Sequence, residues 1–205
     1  MKKKITGLAG LALIAAVTFA FKGDNTLNIG EKAPMNNVKM KDVSGKSYAL
    51  KDLKKDNGLL VVFSCNTCPF VIGWEDTYPG LGELTKEKNI GMVLVNSNEA
   101  KRSNDDSFEA MKEHYKEAGY NTPYVLDNNH ELADAFGAKT TPHVYLFDKD
   151  MKLVYRGSIN NKYEDRKDSA DKMYLNDAIN AMVSGKAIDP AETRQIGCSI
   201  KRVKS

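Results

Sequence analysis

Five apolar residues in a row, Leu59-Leu60-Val61-Val62-Phe63, are followed after one serine by Cys65-Asn66-Thr67-Cys68-Pro69. An apolar run without polar alternation fits a strand covered on both faces, as in a parallel sheet packed between helices. Pro69 fits the first turn of a helix, where its missing N–H is no loss. A strand that ends in a cysteine pair opening a helix brings the two sulfurs within one turn, close enough for a disulfide. The helix N-terminus offers unpaired amides to the first sulfur and stabilises a thiolate there. On this reading Cys65, at the exposed end, is the nucleophile with a lowered pKa, and Cys68, one turn inside, attacks the mixed disulfide and releases the product.

Other uses of a paired cysteine motif fit less well. Haem attachment needs a histidine after the second cysteine, where Pro69 stands. Structural zinc needs four ligands, and only Cys198 and three scattered histidines remain. A static disulfide over so short a loop gains little from loop closure.

The rest of the chain supplies strands and helices in alternation. Met92-Val93-Leu94-Val95 is a second buried run, and both runs read as central parallel strands. Between them Phe70, Val71, Trp74, Leu81 and Leu84 mark a helix that Pro79-Gly80 should bend or interrupt. Phe108, Met111, Tyr115 and Ala118 mark a second helix, and Leu132, Ala133 and Phe136 a short third one before Gly137. Val144 to Phe147 and Leu153 to Tyr155 flank the turn Asp148-Lys149-Asp150 as an antiparallel hairpin, so the sheet is mixed. A last helix carries Leu175, Ala178, Ile179, Met182 and Val183 and ends at Gly185. Val38 to Met40 and Ser47 to Leu50, with the turn Ser44-Gly45, form an N-terminal β-hairpin extension. The charge-rich stretches 101–106 and 162–171 read as solvated loops.

Residues 1–20 begin with Lys2, Lys3 and Lys4, continue through an apolar stretch from Leu8 to Val17, and close on Thr18-Phe19-Ala20. This is the pattern of a cleaved export signal; an uncleaved anchor is the alternative, on an apolar stretch shorter than the ~20 residues a spanning helix needs. These lysines account for the excess of 30 basic over 27 acidic residues, so the body of the chain is neutral. Neutrality gives no electrostatic reason to expect nucleic acid as a partner. The expected organisation is a signal over 1–20, one α/β domain over 27–190 and a polar tail over 191–205, in an oxidising compartment such as a bacterial periplasm, the protein being soluble once the signal is cleaved.

Phe63-Ser64-Cys65-Asn66-Thr67-Cys68-Pro69-Phe70-Val71, together with Gly137-Ala138-Lys139-Thr140-Thr141-Pro142 and Ile29-Gly30-Glu31-Lys32-Ala33-Pro34, resembles the thioredoxin-like redoxin (AhpC/TSA) superfamily. With the ending Gly197-Cys198-Ser199-Ile200-Lys201 the chain is similar to a peroxiredoxin-like subgroup of it. The resemblance implies a thioredoxin fold: a mixed central sheet flanked by helices, with Pro142 cis beside the cysteine pair and the Thr141 backbone pairing with a bound substrate chain. A trans proline starting an edge strand is the alternative. The Thr/Ser and Pro that precede a peroxidatic cysteine are absent upstream of both Cys65 and Cys68.

The function expected is an exported thiol-disulfide oxidoreductase that exchanges the Cys65/Cys68 disulfide with protein or small-molecule thiols, docks substrate at Thr141-Pro142, needs no cofactor or metal, and trades electrons with a membrane or periplasmic partner. A thiol peroxidase is the second reading. A copper- or zinc-binding protein using Cys65, Cys68 and His143 is the third. Cys198 is either a third redox thiol, if the tail folds back over the site, or a tail thiol without a partner.

Overall fold

The computed structural model describes residues 26–164 and 169–203, so the segment expected to be an export signal lies outside the described residues. Along the chain come β1 (Met40–Asp42), β2 (Ser47–Tyr48), α1 (Leu50–Leu53), β3 (Leu59–Ser64), α2 (Pro69–Ile72), α3 (Tyr78–Glu87), β4 (Gly91–Asn96) and α4 (Phe108–Glu117). They are followed by β5 (Tyr124–Leu126), α5 (Glu131–Phe136), β6 (Thr140–Thr141), β7 (His143–Phe147), β8 (Leu153–Gly157), α6 (Tyr174–Val183) and β9 (Cys198–Ser199). Seven strands form one mixed sheet in the order β2-β1-β5-β4-β3-β7-β8, and β6 and β9 form a separate two-stranded ribbon.

The two unbroken apolar runs are β3 and β4, buried along their whole length and paired in parallel from Leu59 opposite Gly91 to Ser64 opposite Asn96. Helices cover both faces, so these strands have no solvent side on which polar residues would alternate. Strand parity sorts the core into two halves. Leu60, Val62, Met92, Leu94, Val144 and Leu146 face the side that holds Cys65 and Cys68, under α3, α4 and α6. Val61, Phe63, Val93, Val95, Tyr145 and Phe147 face the other side, under α1 and α5. On that second side the rings of Phe63, Phe136 and Tyr145 meet edge to face, with centroids 5.2 to 5.6 Å apart.

Two expectations change in the structure. The helix expected to bend or be interrupted at Pro79-Gly80 is interrupted, but ahead of the proline: α2 stops at Ile72, a 3-10 turn spans Glu75–Thr77, and α3 begins at Tyr78 with Pro79 in its first turn. A proline there forfeits no hydrogen bond, so it starts a helix instead of kinking one. Trp74 turns inward at the break, and its Nε1 donates to Asn160 Oδ1 at 2.8 Å. The tail is also not a free polar end: Ile196 packs against the first core half and Ile200, 5% exposed, is buried in the second. The N-terminal hairpin is present with Gly45 at φ 87° in its turn, but its first strand starts at Met40 and not Val38 and its second ends at Tyr48, with Leu50 opening α1; β1 adds antiparallel to β5.

Candidate active site

β3 ends at Ser64 and hands the chain to Cys65, whose backbone leads through Asn66 and Thr67 to Cys68 at the cap of α2. The helix thus begins one turn later than the motif suggests, and it is Cys68, not Cys65, that stands at its start. The expected exposed end is absent, since Cys65 is 1% and Cys68 4% exposed. Both thiols meet Thr141. Cys65 Sγ lies 3.3 Å from Thr141 Oγ1 and Cys68 Sγ 3.1 Å from the Thr141 carbonyl oxygen. The Thr141–Pro142 peptide bond is cis.

The loop between the cysteines is held by a buried polar knot. Asp106, fully buried, accepts from the Asn66 backbone N–H at 2.9 Å, from Asn96 Nδ2 at 2.7 Å and from Asn98 Nδ2 at 2.9 Å. Asn66 Nδ2 donates to the Asp105 carbonyl at 2.7 Å, and the Tyr124 hydroxyl donates to Asn66 Oδ1 at 2.8 Å. Arg102 Nη1 donates to the Asp106 carbonyl at 2.7 Å. A buried carboxylate needs this many donors to offset its lost hydration. The stretch 101–106 is exposed at Ser103, Asn104 and Asp105, as its charges suggest, and departs from a solvated loop at Asp106. Asp106 was missed as a site residue, although three asparagines placed just beyond two apolar strands are a signal that a buried acceptor stands nearby. At the start of the second charged stretch Lys162 Nζ donates to the Gly73 carbonyl at 2.5 Å.

The edge at Thr141, expected to be open for a substrate chain, is taken by the protein's own tail. β9 runs antiparallel to β6 with Cys198 opposite Thr141 and Ser199 opposite Thr140. Gly197 makes the approach possible, because a Cβ at that position would stand 2.3 Å from the Thr141 carbonyl oxygen. The tail is pinned further on: Ile200 N–H donates to the Lys139 carbonyl at 3.0 Å, Lys201 N–H to Asn98 Oδ1 at 2.8 Å, and Arg202 Nε to Asp134 at 2.7 Å. What remains open is a cavity of 190 Å³ lined by Cys65, Thr67, Cys68, Thr141, Cys198 and Lys201 among others.

The three sulfurs have unlike environments. Cys68 is held down at about 4, first by the Cys65 thiol donating to it, against its own burial, and then by the Cys198 thiol and the backbone N–H groups of Val71 and Cys198. Its bond to the Thr141 carbonyl belongs to the protonated thiol and is given up on ionisation, whereas the N–H donors remain. Cys65 is pushed up, by donating to Cys68, by burial and by the Asp106 carboxylate nearby. Cys198 is raised to about 11, by burial and by donating to Cys68. The lowered pKa expected at Cys65 falls on Cys68, because the donors converge on the sulfur at the helix cap.

His143 stands apart from the thiols. It shares strand parity with Tyr145, with its Nδ1 3.3 Å from the Tyr145 hydroxyl and its ring 4.5 Å from the Tyr145 ring. That is the opposite side of the sheet from the cysteines, and burial lowers its pKa to about 3. The metal-binding alternative thereby loses its third ligand. Among the described residues no three His, Cys, Asp or Glu side chains are arranged to hold a metal ion.

Solved and curated relatives agree with this architecture. An uncharacterised conserved protein of Geobacillus kaustophilus superposes with a TM-score of 0.82 at 33% identity, over 88% of this chain and 95% of that one. The thiol-disulfide oxidoreductase ResA of Bacillus subtilis is 28% identical over 169 residues, 75% of this chain and 86% of that protein. A thioredoxin-like protein solved in its oxidised form matches with a TM-score of 0.60 at 18% identity, over 76% of this chain and 97% of that one, a likeness of fold. The AhpC/TSA family model matches residues 29–156. With a cysteine pair at the end of a central strand, a cis proline facing it and this match over most of the sheet, the chain belongs to the AhpC/TSA family and is a thioredoxin-like oxidoreductase.

Proposed function

We propose that the chain catalyses thiol-disulfide exchange through Cys65 and Cys68, outside the cytoplasm, with protein or small-molecule thiols as substrates. The observation that carries this reading is the pair of thiols at the end of β3, both in contact with Thr141 beside the cis Thr141–Pro142 bond. A thiolate attacks one sulfur of a substrate disulfide, and the other substrate sulfur leaves as a thiol once protonated. Cys65 then attacks Cys68 Sγ, the bound substrate leaves reduced, and the two electrons of the new Cys65–Cys68 bond have passed to the substrate. Run backwards, the same steps oxidise a dithiol. Thr141 positions both sulfurs, Oγ1 toward Cys65 and the carbonyl toward Cys68. Export is supported by the charge and apolar pattern of residues 1–20. No helix among the described residues is long and apolar enough to cross a membrane.

The test is equilibration of the protein in glutathione redox buffers, with acid quenching and mapping of the Cys65–Cys68 disulfide. A midpoint near ~−270 mV makes it a reductase, and one near ~−120 mV an oxidant. Failure to form that disulfide at any poise ends this reading.

A further inference from the structure

The tail places a third thiol where a substrate sulfur would stand. β9 pairs with β6 as an added antiparallel strand, with Cys198 directly opposite Thr141, the residue whose carbonyl lies 3.1 Å from Cys68 Sγ. Directly opposed residues of an antiparallel pair have Cα atoms about 4.5–5.5 Å apart. Cys198 packs against the core half that holds Cys65 and Cys68, and all three cysteines line the 190 Å³ cavity. Of the three sulfurs, only that of Cys198 belongs to a residue that is more than marginally exposed.

We propose that Cys198 is a redox thiol of the active site, carried on a strand that occupies the substrate edge, and that it resolves the mixed disulfide at Cys68 before Cys65 does. This rests on the exchange reading given above and adds a step to it. The Cys68 thiolate attacks a substrate disulfide; the substrate S–S bond breaks, a Cys68–substrate bond forms, and the first substrate sulfur leaves and takes up a proton. Cys198, having given its proton to solvent, attacks Cys68 Sγ. A Cys68–Cys198 bond forms and the second substrate sulfur leaves reduced. Cys65 then attacks Cys68 Sγ, which frees Cys198 as a thiol and leaves the Cys65–Cys68 disulfide. Two electrons reach the substrate in all, and the substrate disulfide is the oxidant consumed.

Loss of the anionic sulfur drives the order of these steps. While Cys68 is a thiolate, Cys198 donates to it and resists ionisation. Once Cys68 is joined to substrate, that acceptor and its charge are gone, and Cys198 ionises more readily beside the sulfur it must attack. Cys65 loses the same acceptor, but it stays buried where Cys198 is partly exposed and keeps the Asp106 carboxylate nearby, so it is the slower of the two to ionise and attack.

The experiment uses the full chain, reduced and then treated with glutathione disulfide, with acid quenching, alkylation and peptide mapping. In Cys65→Ser the expected result is an intramolecular Cys68–Cys198 disulfide in a monomer, with free thiols falling from two to none. In the wild type the same disulfide appears early and gives way to Cys65–Cys68. A stable glutathione adduct on Cys68 with Cys198 still alkylatable, or a disulfide-linked dimer, overturns the proposal, as does a Cys65–Cys198 bond in Cys68→Ser. Wild-type protein that forms Cys65–Cys68 while neither protein ever shows Cys68–Cys198 refutes this step alone. Wild-type protein that forms neither disulfide refutes the exchange reading as well.

Discussion

Replacing Cys65 by alanine removes the first donor to the Cys68 sulfur and tests which thiol is ionised. Cys68 sits at about 4 against an ordinary thiol value of 9.0, and the Cys65 S–H is the largest cause. At about pH 7 a thiol at its ordinary value is only about 1% ionised, whereas Cys68 is essentially all thiolate. A thiolate of lower pKa is also intrinsically less nucleophilic, by a Brønsted slope of about 0.4–0.5, which over this difference costs roughly 100- to 300-fold. The two effects nearly cancel in any single rate at neutral pH. The pH profile does not cancel: wild-type Cys68 should alkylate with iodoacetamide at a rate that is flat from about pH 9 downward and falls only through about 4. In Cys65→Ala the midpoint should rise toward the ordinary value, while the plateau rate at high pH increases. Alkylation is read by quenching and peptide mapping, so Cys68 is scored separately from Cys198. A wild-type profile that climbs only near 9, or labelling of Cys65 ahead of Cys68, refutes the assignment of the charge. A midpoint unmoved in Cys65→Ala shows instead that the N–H groups of Val71 and Cys198 suffice.

Asp106→Asn leaves three N–H donors facing a side chain with one acceptor oxygen and two hydrogens of its own, and should cost about 3 kcal/mol in a denaturant titration of the reduced protein. An unchanged midpoint would mean the loop has another anchor. Gly197→Ala puts a methyl group 2.3 Å from the Thr141 carbonyl oxygen and should lift β9 from β6, read as faster alkylation of Cys198 with β3 and β4 still protected from hydrogen exchange. Unaltered Cys198 alkylation would show that the backbone yields there. His143 is buried neutral with its pKa lowered to about 3 from 6.5, so the unfolded chain binds a proton that the folded chain refuses. Stability should therefore be full above about 6.5 and drop as pH falls toward 3, by about 1.4 kcal/mol per pH unit from this group. The wild type should lose that much more stability than His143→Asn between about pH 6 and pH 4 in parallel denaturant titrations; equal losses would refute it.

The central strands were readable because apolar runs of four and five residues, rich in β-branched side chains and too short for a helix, fit buried strands, and the cysteine motif because its position after such a run fixes it at the end of the sheet. β5 was not, since three residues carry no period to detect, and Tyr124–Leu126 owes its strand to pairing with β4 and β1. Asp106 was hidden because charge in a loop ordinarily marks solvent, and its burial is decided by Asn96 and Asn98 across a loop and by Asn66 forty residues away, which only together make an acceptor bearable. The third sequence reading groups His143 with the two thiols as a metal ligand. Alternation along β7 sends it the other way, and nothing local states which parity faces the cysteines. The tail was illegible for the same kind of reason, since Gly197-Cys198-Ser199 holds no strand signal and becomes a strand only against Thr140 and Thr141.

One residue joins these features. Thr141 offers its hydroxyl to Cys65, its carbonyl to Cys68 and its place in β6 to Cys198, so the chemistry of the pair and the docking of the tail share a single backbone position. Cys198 N–H reaches Cys68 Sγ only while β9 is docked, and that bond is strongest when Cys68 carries charge. By linkage, whatever holds the tail down favours the thiolate, and whatever neutralises the thiolate, a mixed disulfide included, loosens the tail to the same extent in free energy. Substitutions at Gly197 and at Cys65, which touch no common atom, should for this reason fail to add in their effect on Cys68 ionisation, because each acts on a donor set that the other has already weakened.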